Sequence, residues 1–109
     1  MRDFLFEFTV HRPEGAFCTM KRDKCLNTAA GLVCNDREES HGRADKSFST
    51  IAALWSITLG HEVTVGKVAM MMMQLKQARI ITGDASVADH WVDLCGYASL
   101  GCELSTEGD

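Results

Sequence analysis

Two aspartates, Asp89 and Asp93, lie four residues apart, and two basic residues, Lys76 and Arg79, lie three apart a little earlier in the chain. On a helix either spacing puts both side chains on one face. Two carboxylates so placed repel each other unless a positive group sits between them. Mg²⁺ is one such group, a hard cation that takes oxygen ligands and brings substrate phosphates with it. Lys76 or Arg79, reaching across a helix–helix contact, is another. Both basic side chains suit phosphate recognition. They also suit the last turn of a helix, just as Asp89 suits a first turn, where charge complements the helix dipole. A third group of polar residues lies in the stretch 35–46: Asp36, Arg37, Glu38, Glu39, His41 and Asp45. Glu38 and Glu39 offer neighbouring carboxylates, and His41 could orient a water or carry a proton. His90 is a second histidine beside carboxylates.

Other chemistries are not written here. The chain has no phosphate-binding glycine loop, nucleophile elbow or H-E-x-x-H motif. Its five cysteines, Cys18, Cys25, Cys34, Cys95 and Cys102, include no C-x-x-C pair, which argues against a zinc ribbon or a thioredoxin-type motif. They read as reduced thiols of a cytosolic protein, behaving as small apolar residues. A net charge of −4 argues against general duplex DNA binding, which needs a basic face. No stretch is apolar enough over a sufficient length to span a membrane.

The elements that must position these groups are helices. At 109 residues one domain is expected. Residues 1–19 stand apart: Phe4, Phe6 and Phe8 alternate with Leu5, Glu7 and Thr9 before Pro13 and Gly15 break the pattern, which suits a short extended arm. That arm reads equally as an appendage or as a strand packed on the domain. From Met20 onward the pattern is helical. A first helix is expected over 23–34, with Cys25, Leu26, Ala29, Ala30 and Val33 on one stripe. A second is expected over 46–59, with Phe48, Ile51, Ala52, Leu54, Trp55 and Leu59 apolar and Gly60 as its stop. Thr64 caps a third that runs to about Ile81. The run Met70–Met73 in it suggests burial on more than one side. Ser86, with Asp89 three residues on, opens a fourth in the manner of a capping box. Trp55 and Trp91 are expected in the core. The short second and third connections make those neighbours antiparallel. The expected fold is therefore all-α, a four-helix bundle-like domain over 20–109 with the N-terminal arm over 1–19.

Three segments together resemble a known pattern: D-R-E-E-S-H-G-R-A-D-K-S-F-S-T-I-A-A-L-W, then V-A-M-M-M-M-Q-L-K-Q-A-R-I, then D-H-W-V-D-L-C-G-Y-A-S-L. They resemble a phage and prophage family of small helical proteins, akin to a nucleotide-modification-associated phage domain and to the MazG-like all-α nucleoside triphosphate pyrophosphohydrolases. The resemblance spans about residues 20–104. It implies a MazG-like fold and Mg²⁺-dependent hydrolysis of a nucleoside triphosphate to monophosphate and pyrophosphate. Carried over, Asp89 and Asp93 would bind metal, Glu38, Glu39 and His41 would assist catalysis, and Lys76, Arg79 and Tyr97 would meet the substrate. The chain departs from the pattern at three points. The E-x-x-E motif of the enzymes is missing, His41-Gly42 stands in place of an aromatic-Gly pair, and Ser47 stands in place of an Asn before Phe48.

The resemblance also implies partners. MazG-like bundles are completed by further subunits, so a homo-oligomer is expected, in the cytoplasm of a bacterial host. A nucleotide is the expected ligand. A non-catalytic phage accessory protein that binds and inhibits a host defence protein fits the same small acidic helical chain.

Overall fold

The structure, a computed structural model, describes residues 19–36 and 44–106. Helix α1 (Arg22–Gly31) passes into a π-helical turn, Leu32–Asp36; α2 (Ala44–Leu59), α3 (Val65–Thr82) and α4 (Ala88–Thr106) follow. Among the described residues there is no strand, and the fold is all-α, bundle-like, as the periodicity indicates. Of the arm expected over 1–19, residues 1–18 lie outside the described residues, as do residues 37–43 of the polar stretch 35–46. None of the helices is long and apolar enough to cross a membrane.

Local sequence sets the element ends. Gly60 adopts φ 77°, a left-handed conformation that glycine takes without a Cβ penalty, and its N–H donates to Ser56 O at 2.9 Å to close α2. The Ser56 hydroxyl accepts from Val63 N at 2.8 Å, so the connection is tied back onto α2 and Val63 is driven into the core. Thr64 then caps α3, its Oγ1 accepting from Lys67 N at 3.2 Å. Thr64→Ala is expected to lower the unfolding free energy by about 1 kcal/mol in urea titrations. An unchanged midpoint would show that water replaces this bond without loss.

The start of α4 differs from the expected capping box. The Ser86 hydroxyl donates to Asp84 Oδ1 at 2.6 Å, and Ser86 N donates to the same oxygen at 2.9 Å. These bonds hold the Asp84 carboxyl below the ordinary carboxylate range, and the helix begins two residues after Ser86. Trp91 is not in the core. It is about half exposed, and its indole N–H donates to Ala85 O at 2.7 Å, so it folds over the turn that precedes its own helix.

The core forms where α2, α3 and α4 meet: Phe48, Ala52, Val63, Val68, Ala69, Met72, Tyr97, Leu100 and Leu104. Trp55 packs partly buried against it. Antiparallel α3 and α4 approach closely, because Gly101 faces Ala69; a Cβ at Gly101 would come within 2.9 Å of the Ala69 Cβ. The run Met70–Met73 is not covered all round. Met72 is buried and Met73 half-buried, while Met70 and Met71 are exposed. Leu54 and Leu59 are likewise exposed, so the α2 stripe is broader than the surface the other described residues cover.

Candidate functional site

The close approach at Ala69 and Gly101 fixes the register of α3 on α4. About two turns further along, that register sets Lys76 opposite Asp93. The Lys76 ammonium Nζ lies 2.7 Å from Asp93 Oδ2, and both side chains are fully buried. Of the two positive groups the sequence offers between its aspartates, a lysine from the neighbouring helix meets Asp93 directly. Asp89, one turn earlier on α4, is buried too, at 7% exposure. Tyr97, one turn later, is fully buried, and its ring stacks on Phe48 of α2 with centroids 6.4 Å apart and planes at 27°. Asp89, Asp93, Tyr97, Leu100 and Leu104 thus make one inward row on α4, polar at its N-terminal end and apolar at the other.

Two charges taken from water cost several kcal/mol each, and a short ion pair recovers that cost only with good geometry and further polar contacts. Asp93 and Lys76 each take part in interactions beyond the one given above. Arg79, half-buried, is one turn beyond Lys76 in the last turn of α3, where its charge complements the helix C-terminus. His90 follows Asp89, and its Nδ1 is buried without a hydrogen-bond partner among the described residues. Sequence reasoning gave His90 little weight, since a lone histidine near carboxylates is common.

Of the residues singled out in the sequence, Lys76, Asp93, Asp89 and Tyr97 come together at the α3–α4 contact, with Arg79 at its edge. Glu38, Glu39 and His41 lie outside the described residues. The connection that carries them leads into Ala44 and Phe48, which pack in the core with Tyr97. Among the described residues no group of three or more His, Cys, Asp or Glu side chains is placed to hold a metal ion.

A separate cavity of about 400 Å³ opens between α1, the π-helical turn and α4, with Leu26, Ala29, Val33, Cys95, Ser99 and Glu103 in its wall. At its edge the Cys25 and Cys95 sulfurs are 3.9 Å apart. This contact was missed in the sequence, where the two residues are 70 positions apart; the one available signal was that each falls on an apolar helical stripe.

Residues 24–105 match the family described as Domain of unknown function (DUF6378). The chain is also similar to the Gene 55 protein of Mycobacterium phage D29, with 32% identity over 80 residues, covering 73% of this chain and 51% of that protein. It therefore spans about half the length of that relative. No solved structure matches the chain. The matched span runs from within α1 to within α4 and takes in both Lys76 and Asp93, and the chain belongs to the DUF6378 family.

Proposed function

We propose that this chain is a phage-type nucleotide-binding protein, related in its helical scaffold to the MazG-like pyrophosphohydrolases. The observation that supports this most is the wholly buried Lys76–Asp93 pair with buried Asp89 beside it. A bundle needs no such group to fold, since apolar residues of similar volume are often as stable or more so. Buried titratable groups clustered between helices are a common mark of a functional site. Arg79, half-buried at the edge of the contact, would meet phosphate oxygens; Lys76, with no exposed surface, would hold α3 on α4 through Asp93, and Tyr97 would hold α4 at the right depth through its stack on Phe48.

Mg²⁺ does not fit the described residues by themselves. They supply two carboxylates from one helix, the Lys76 ammonium already neutralises Asp93 at 2.7 Å, and there is no third ligand. No hydrolytic step follows from them. A pyrophosphohydrolase would need Glu38 and Glu39 to complete the site.

A second reading, a non-catalytic accessory protein that binds a host protein, draws on the exposed apolar residues Leu54, Ile57, Met70 and Met71. A second copy of the chain would cover the same residues, so light scattering on the purified protein belongs beside the ligand test.

That test is calorimetric titration with non-hydrolysable nucleoside triphosphates, with and without Mg²⁺. Binding is expected, and Arg79→Ala, at a half-buried position, is expected to weaken it about tenfold, the loss of one charge-assisted bond. Absence of heat at millimolar nucleotide, in a protein shown to be folded, would end the nucleotide reading and leave the protein-partner one. Binding that needs Mg²⁺ would restore a metal ion to the site.

A further inference from the structure

The contact between Cys25 on α1 and Cys95 on α4 is of a different kind from the rest of the interior. Both residues are half-buried free thiols, and their sulfurs touch at 3.9 Å. A disulfide needs about 2.0 Å between sulfurs, a distance that side-chain rotation supplies from a van der Waals contact when the Cβ atoms already face each other. We propose that Cys25 and Cys95 form a reversible disulfide, a redox-controlled staple between α1 and α4.

The place in the fold gives the staple something to do. Helix α1 packs on α4 and continues into the π-helical turn, ahead of the connection that carries Glu38, Glu39 and His41. Its N-cap residue, Lys21, makes no side-chain cap bond, so α1 depends on its tertiary contact for its hold. Joining Cys25 to Cys95 closes a long loop, where a cross-link removes most freedom from the unfolded chain. It also fixes one wall of the cavity between α1 and α4, two residues along from Asp93.

The oxidant is a low-molecular-weight disulfide. One protein thiolate attacks it, releasing one small thiol and leaving a mixed disulfide on the protein. The second protein thiolate then attacks the protein sulfur of that mixed disulfide and releases the other small thiol. Two protein thiols are oxidised, one small disulfide is reduced to two thiols, and the two protons pass to the leaving sulfurs. Cys95 lines the cavity and is reachable from it, so it opens the exchange. Burial raises the Cys25 thiol above its ordinary range, which suits it to the second, intramolecular step, where proximity offsets a small thiolate fraction.

The test uses the full chain carrying Cys18→Ser, Cys34→Ser and Cys102→Ser, which leaves only the pair. The protein is equilibrated with mixtures of oxidised and reduced glutathione, alkylated and mapped by mass spectrometry. The expected product is one intramolecular Cys25–Cys95 link, accompanied by a rise in Tm on the order of 10 °C and reversed by dithiothreitol. Adding Cys25→Ser should convert it to a stable glutathione adduct at Cys95. Two thiols that stay free, or two separate glutathione adducts, in oxidised glutathione would overturn the proposal. So would a link that forms but lowers Tm.

Discussion

Asp93→Ala is expected to cost about 3–5 kcal/mol of stability, because it removes one partner of a buried ion pair and leaves the other charge in the interior. The carboxylate that the Lys76 ammonium touches at 2.7 Å is gone, and the ammonium is too deep for water to replace it. Lys76→Met is expected to cost a similar amount by the mirror argument. The double variant Lys76→Met/Asp93→Leu removes both charges and fills the space with apolar groups, and should fall within about 1 kcal/mol of the parent chain. Urea unfolding of the three variants measures the pattern directly. A loss under about 1 kcal/mol for Asp93→Ala would show that this position is hydrated in solution. The double variant also separates structure from function. On the proposed nucleotide-binding function, the double variant, folded but lacking the charges, should lose nucleotide affinity; an affinity equal to the parent's would mean that the pair serves the fold alone.

The same contact shows how far the sequence could be read. The helical spacing of Asp89 with Asp93 and of Lys76 with Arg79 is a local property, and so are the Thr64 cap and the Gly60 stop; all depend on residues within a turn or two of one another. That Lys76 rather than Arg79 faces Asp93 is not local. It follows from the register of two helices, set by Gly101 meeting Ala69, and a glycine inside a helical pattern does not announce what it faces. The expected capping box at Ser86 yielded to a nearer acceptor, Asp84, whose carboxylate takes both the Ser86 N–H, which Asp89 would have accepted, and the hydroxyl. Trp91 has the apolar bulk of a core residue, but its N–H finds a carbonyl in the turn before the helix, and the ring stays at the surface. The π-helical turn at Leu32–Asp36 has no compositional mark in the sequence. Apolar periodicity located the helices well and the covered width of each stripe poorly, since Leu54, Leu59, Met70 and Met71 are apolar yet exposed.

Phe48→Ala is expected to cost about 3–5 kcal/mol, the usual range for truncating a fully buried aromatic residue. Phe48 has no exposed surface, and its ring stacks on that of Tyr97, itself fully buried. A stacked aromatic pair contributes about 0.5–1.5 kcal/mol beyond the area it buries, so the loss should lie in the upper part of the range. Ile57, on the opposite side of α2 and 78% exposed, is the control: Ile57→Ala should stay within about 0.5 kcal/mol of the parent. The contrast tests which face of α2 is inward, since both residues belong to one apolar helix. Equal losses at the two positions would mean that Ile57 is covered in solution, by a second copy of the chain or another partner. In that event the loss at Ile57 should grow with protein concentration if the partner is a second copy, while the loss at Phe48 should not. Phe48 also holds the first turns of α2 against Tyr97, one turn from Asp93. Its truncation should therefore loosen the first turns of α2 and, on the proposed function, weaken nucleotide binding under conditions where most of the protein is still folded.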